Sequence, residues 1–302
     1  MNEKKRHRNT GYIHIPFNEL DVFILTDGYF NIGNPQPILA PGIPQSLLLD
    51  ELNRLYLPGT FYEAPINVML IRQDDRVILV DTGEGYHDTE NAGVLLHSLA
   101  AAGFEPEDIT DILITHAHRD HVGGIVAADG SIVYPNARYH IARPELAFWM
   151  APQPDFSRSR NPEGGRSGVG LVQQILMAIQ HRMQVFEPGA ELFSCIKTEA
   201  APGHTPGHIV LTVVSGHLSV TNLVDVVHSP LLIAQPGWGT QWDVDFDAGV
   251  STRNRLLERC CRNRTLIMAA HLPWPGIGYI GEHADRWQWI PQSYNAPFYF
   301  AL

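Results

Sequence analysis

The chain has 302 residues, 44% hydrophobic and 18% charged, which allows one sizeable core without disulfide staples. Its formal net charge of −11 repels phosphate backbones and argues against a nucleic-acid substrate. No run approaches the roughly 18 apolar residues that mark a membrane span, and the basic opening "MNEKKRHRNTGYIHI" lacks the apolar stretch of a secretory signal. A cytoplasmic location is therefore expected, with Cys195, Cys260 and Cys261 as reduced thiols.

Taken in chain order, strands are predicted at "LDVFILTDG" (20–28), "INVMLIR" (66–72) and "RVILVDTG" (76–83), each rich in Val, Ile and Leu and stopped by Gly or Asp. A helix is predicted over 91–103, ending at glycine, followed by a buried strand that opens "DILITHAH" (111–118). Further strands are expected at "ARYHIA", "IVLTVVSG", "LSVTNLV" and "RTLIMAA", and helices at 143–150, 167–185 and 247–260. Helices interrupt strands throughout, which suggests stacked sheets flanked by helices. Two segments read as insertions in a single domain spanning 1–302. Residues 31–65, rich in proline, leucine and aromatics, form a candidate lid or homodimerisation arm. Residues 151–168, "APQPDFSRSRNPEGGRSG", read as a flexible polar loop.

The stretch "ILITHAHRDHVGGI" (112–125) concentrates metal-binding side chains at a strand end. In an extended segment His116 and His118 point the same way, so they can grip one cation together. Asp120 and His121 follow the turn and offer an oxygen and a nitrogen to a second, nearby position. Imidazole and carboxylate suit zinc. Two such clusters need distant ligands, and three buried strands run out at suitable residues. "APGHTPGHIV" supplies His204, "LVDVVHSP" supplies Asp225 and "LIMAAHLPWPG" supplies His271. His208 and His228 lie beside these ligand segments, where they either hold a ligand or contact substrate, or serve a purely structural role.

Together "VDTG", "THAHRDHVGG", "GHTPGH", the aspartate of "LVDVVH" and "AHLPWPGIG" resemble the metallo-β-lactamase superfamily, and the ending looks similar to its methyl parathion hydrolase and lactonase branch. The resemblance implies an α/β fold, a four-layer αββα sandwich, with the site between the sheet edges. It implies two divalent metal ions, zinc foremost: one held by His116, His118 and His204, the other by Asp120, His121 and His271, with Asp225 bridging. It also makes Asp81 of "VDTG" a support beneath the metals. In one departure, Val224 stands where such relatives usually carry glycine before the bridging aspartate, which should narrow the turn and shift the carboxylate.

Two divalent cations outweigh the two carboxylates, leaving a positive cluster that draws an electron-rich carbonyl or phosphoryl oxygen. A bound water whose pKa falls from 15.7 to about 7 supplies hydroxide at neutral pH. The expected reaction is hydrolysis of a carboxylic ester or lactone by a metal-bridging hydroxide oriented by Asp120. The expected substrate is a small, uncharged, partly apolar molecule, with Trp274 as a pocket wall. A phosphotriesterase is the alternative in the same fold. A non-catalytic metal-binding protein is a third reading; loss of a ligand would mark it, and all seven ligands are present.

Overall fold

The computed structural model describes residues 11–87 and 90–292; the basic segment 1–10 lies outside them. Two seven-stranded sheets face each other. The first holds β1 (Tyr12–Phe17), β2 (Leu20–Asn31), β3 (Glu63–Gln73), β4 (Arg76–Val80), β5 (Asp111–Ile114), β6 (Arg138–Ala142) and β7 (Met183–Phe186), ordered as in the chain. β1 to β4 pair antiparallel; β4 to β7 pair parallel. The second holds β8 (Glu191–Leu192), β9 (Ile196–Ala200), β10 (Ile209–Ser215), β11 (Leu218–Asn222), β12 (Ile267–Met268), β13 (Ile277–His283) and β14 (Arg286–Pro291). Only β11 and β12 run parallel there.

Strand alternation sorts the apolar residues into three layers. Val22 and Ile24 of β2, Met69 and Ile71 of β3, and Ile78 and Val80 of β4 point between the sheets, where they meet Ile209, Leu211 and Val213 of β10. Their neighbours Phe23, Leu25, Val68, Leu70 and Leu79 point outward. That face is covered by α2 (Leu95–Ala101), α4 (Arg143–Trp149) and α5 (Pro162–Ile179). On the far side Val210 and Ile267 pack on α7 (Phe246–Asn263) through Leu256 and Leu257. The period-2 pattern thus buries both faces of the central strands of each sheet, giving the expected αββα sandwich.

Both insertions contain helical structure. Within 31–65, α1 (Gln45–Arg54) forms, and Leu39, Leu48 and Leu52 pack on Leu231 and Leu232 of α6 (Pro230–Ala234). The supposed flexible loop 151–168 turns helical at Pro162, where the Asn161 side chain accepts from the Gly164 amide at 3.2 Å. Asn as cap with Pro following are helix-start signals, and they outweigh the glycines. Gly165 is required there, since a Cβ would sit 2.4 Å from the Phe156 ring. The same helix ends at Ile179, before the expected 185, because Met183–Phe186 pairs as a strand. Among the described residues no helix is long and apolar enough to cross a membrane.

Candidate metal centre

The site forms where parallel neighbours in each sheet run out together. β5 ends at Ile114, and Thr115 to His118 lead into α3 (Arg119–Val122), which carries Asp120 and His121. β10 runs antiparallel to β11, so the turn before it, with His204, opens at the end where β11 delivers Asp225. β12 delivers His271 beside it.

Two groups of donor atoms result, each gathered within 4.8 Å: His116, His118, His204 and Asp225, and Asp120, His121, Asp225 and His271. In the first, His118 Nδ1 lies 2.8 Å from His204 Nε2 and 3.1 Å from His116 Nε2. In the second, His121 and His271 Nε2 lie 3.4 and 3.3 Å from Asp120 Oδ2. Asp225 belongs to both, with Oδ2 3.2 Å from His204 and His271 Nε2 and Oδ1 3.3 Å from His121 Nε2. Ligands bound at about 2.1 Å around a tetrahedral ion stand about 3.4 Å apart, so the spacing fits two cations sharing one carboxylate. His121 Nε2 and Asp225 Oδ1 are buried without a hydrogen bond, as expected of atoms whose partner is a metal.

The charge balance agrees. Burial alone would raise Asp120 and Asp225, yet the surrounding imidazoles hold both carboxyls well below the usual range. Burial would lower His204 and His271, but the carboxylates lift them to about 9 and about 10. The carboxylates thus demand cationic partners, and divalent ions meet that demand without protonating the imidazoles. His116 and His118, pushed down by burial first, are already neutral and ready to ligate.

The ring nitrogens facing away are fixed by partners, which sets tautomer and ring angle. His121 Nδ1 lies 2.8 Å from Asp81 Oδ2, and Asp81 also accepts from the Thr115 amide and hydroxyl. His204 Nδ1 lies 3.0 Å from Asp243 Oδ1, and His271 Nδ1 2.7 Å from the Pro65 carbonyl. His208 Nε2 accepts from the Asp225 amide at 3.3 Å. His228 stacks on His271 at 5.3 Å, and its carbonyl accepts from the Tyr62 hydroxyl. Burial drops His208 to about 3 and His228 to about 4. Val224 adopts φ +50°, a left-handed conformation that strains a β-branched residue, and Asp225 still reaches both clusters.

Above the donors lies a cavity of ≈ 530 Å³ floored by His118, Asp120, His204, Asp225, His228 and His271. Its apolar walls are Phe30, Trp149, Phe156, Leu171, Val172 and Trp242. Trp274, the wall expected from sequence, is not among them. The tight turn closed by Gly276 N to Pro273 O turns it outward, 42% exposed. Asp243 and Glu145 carried no sequence signal, because Asp243 stands among several acidic residues and Glu145 opens an ordinary helix.

Residues 62–221 match the model of the metallo-beta-lactamase superfamily. The chain belongs to this superfamily. An N-acyl homoserine lactonase from a Bacillus species is 24% identical over 244 residues, 73% of this chain and 86% of the relative. Among solved structures, AidC, a dizinc quorum-quenching lactonase in complex with the product N-hexanoyl-L-homoserine, superposes with TM-score 0.89 at 35% identity, covering 95% of this chain and 99% of that one. The hydrolase AbOPH of the beta-lactamase superfamily superposes with TM-score 0.87 at 28% identity, covering 96% and 100%. Like its superfamily relatives, this chain is a metal-dependent hydrolase, and its paired donor groups suit two divalent metals.

Proposed function

We propose that this chain hydrolyses a lactone or carboxylic ester, with His116, His118, His204 and Asp225 holding one zinc ion and Asp120, His121, His271 and Asp225 the other. The observation that carries this reading is one buried carboxylate shared by two donor groups beneath a cavity with an apolar side formed by Trp149, Phe156, Leu171 and Val172. The lactonase relatives support the bond class. Bound there, two such ions would polarise the scissile carbonyl and make water acidic enough to ionise near neutral pH. Trp149, Phe156, Leu171 and Val172 receive the acyl chain and exclude water around it. Asp120 turns one oxygen to His121 and His271, leaving the other to accept from the attacking water and aim its lone pair at the carbonyl. His228, buried at the cavity floor with Nε2 3.3 Å from Asp225 Oδ2, borders the substrate beside the shared carboxylate. Three free thiols accord with a cytoplasmic setting.

Kinetics on lactones of increasing acyl length test the reading. Each added methylene is expected to raise kcat/KM about fourfold, the worth of roughly 0.8 kcal/mol of burial, until the cavity fills. A response flat in chain length would reject the apolar acyl site. An aryl phosphotriester cleaved far faster than every lactone and ester would move the substrate class to phosphotriesters.

A further inference from the structure

Glu145 lies in the first turn of α4 with no solvent exposure. A buried carboxylate is costly unless its oxygens are satisfied, and these receive four donors from three places. Oε1 accepts from the Ala117 amide at 2.8 Å and the Trp149 indole N–H at 2.7 Å. Oε2 accepts from the Thr205 hydroxyl at 2.6 Å and the Gly207 amide at 3.0 Å. Ala117 sits between His116 and His118, while Thr205 and Gly207 follow His204. The carboxylate therefore clamps both turns that build the first donor group. Gly207 has its own reason to be glycine, since a Cβ there would lie 2.0 Å from the Glu145 nitrogen. The contact between the β10 turn and α4 is direct, backbone on backbone.

The fourth donor extends the connection outward. Trp149 walls the cavity, and its ring meets His118 edge-on at 5.7 Å. Resting on the reading of the donor groups as metal sites, we propose that Glu145 is a positioning residue that sets the spacing of His116 and His118 from His204 and ties that metal site to the Trp149 wall. The second group, Asp120, His121 and His271, receives nothing from Glu145. The effect of losing it should therefore be confined to one metal. The fold has an independent tie at this place, the Ile209 amide to the Thr115 carbonyl at 3.2 Å, so the clamp is separable from the framework.

The test is zinc competition against a chromophoric chelator on the wild-type protein and Glu145→Gln, with anomalous diffraction locating the ions. A glutamine keeps the shape but turns its NH2 towards two of the four donors. Expected is a loss of roughly 10–100-fold in affinity at the His116, His118, His204 site, with the other site unchanged. Trp149→Phe, which removes one donor from the wall side only, should raise KM for a hexanoyl lactone more than it lowers kcat. Thr205→Val removes one donor and should weaken the same zinc by a smaller factor, which keeps the test open if Glu145→Gln fails to fold. Unchanged affinity in both Glu145→Gln and Thr205→Val, or equal weakening of both sites, would overturn the assignment. A wild-type protein binding fewer than two zinc ions would instead overturn the two-metal reading itself.

Discussion

Asp225→Asn is expected to lower kcat/KM by about three orders of magnitude or more while leaving the fold in place. Asp225 is the residue both donor groups share, with imidazole nitrogens 3.2 to 3.3 Å from its two oxygens. The amide preserves the shape but removes the charge and turns an NH2 towards nitrogens that need an acceptor or a cation. Lewis-acid stabilisation at such sites is worth several kcal/mol, and losing about 4 kcal/mol costs about a thousandfold in rate. The check is lactone kinetics beside circular dichroism and metal content. Turnover within tenfold of wild type in a folded variant would remove Asp225 from the mechanism.

Arg253→Met is expected to destabilise the protein by about 3–5 kcal/mol, the usual cost of breaking a buried pair by removing one partner. Arg253 is 1% exposed. Its Nε donates to the Val226 carbonyl at 2.7 Å, Nη1 to the Pro236 carbonyl at 3.0 Å, and Nη2 to Asp243 Oδ2 at 3.4 Å. Methionine fills much of the space but leaves two carbonyls without donors and the buried Asp243 carboxylate without its cationic partner, held only by the Thr240 amide and His204. The melting temperature should fall by roughly 10 °C. The double variant Asp243→Asn with Arg253→Met should recover part of the loss, because the stranded charge is gone. Recovered stability with weakened zinc binding would follow, since Asp243 also holds His204. A melting temperature within about 2 °C of wild type for Arg253→Met would show that the pair adds little.

What the sequence shows of this site depends on how far apart the partners are along the chain. His116, His118, Asp120 and His121 share one turn, so spacing alone groups them, and Asp225 and His271 end apolar strands whose buried faces are plain in the residues. His204 and Asp243 meet across 39 positions and Glu145 reaches Gly207 across 62; no local pattern pairs such groups, because the packing of α4 and α7 on the sheets brings them together. Trp274 shows the converse error. Nearness to His271 in sequence suggested a wall, but the turn at Pro273–Gly276 reverses its direction, and the walls come from Trp149 and Trp242. In the fold, strands buried on both faces stood out, whereas β1 and β14 mix polar and apolar residues and half-expose them, and β13 is interrupted by Gly278 and Gly281, leaving weaker signals. The glycines of α5 hid a helix start that Asn161 and Pro162 mark chemically.

The central claim is that two metal ions share Asp225. Anomalous diffraction at the zinc edge from crystals of the zinc-loaded protein tests it most directly. Two peaks about 3.5–4 Å apart are expected, one among His116, His118 and His204, the other among Asp120, His121 and His271, with Asp225 between them. A single peak in fully loaded protein, or peaks away from these residues, would contradict it.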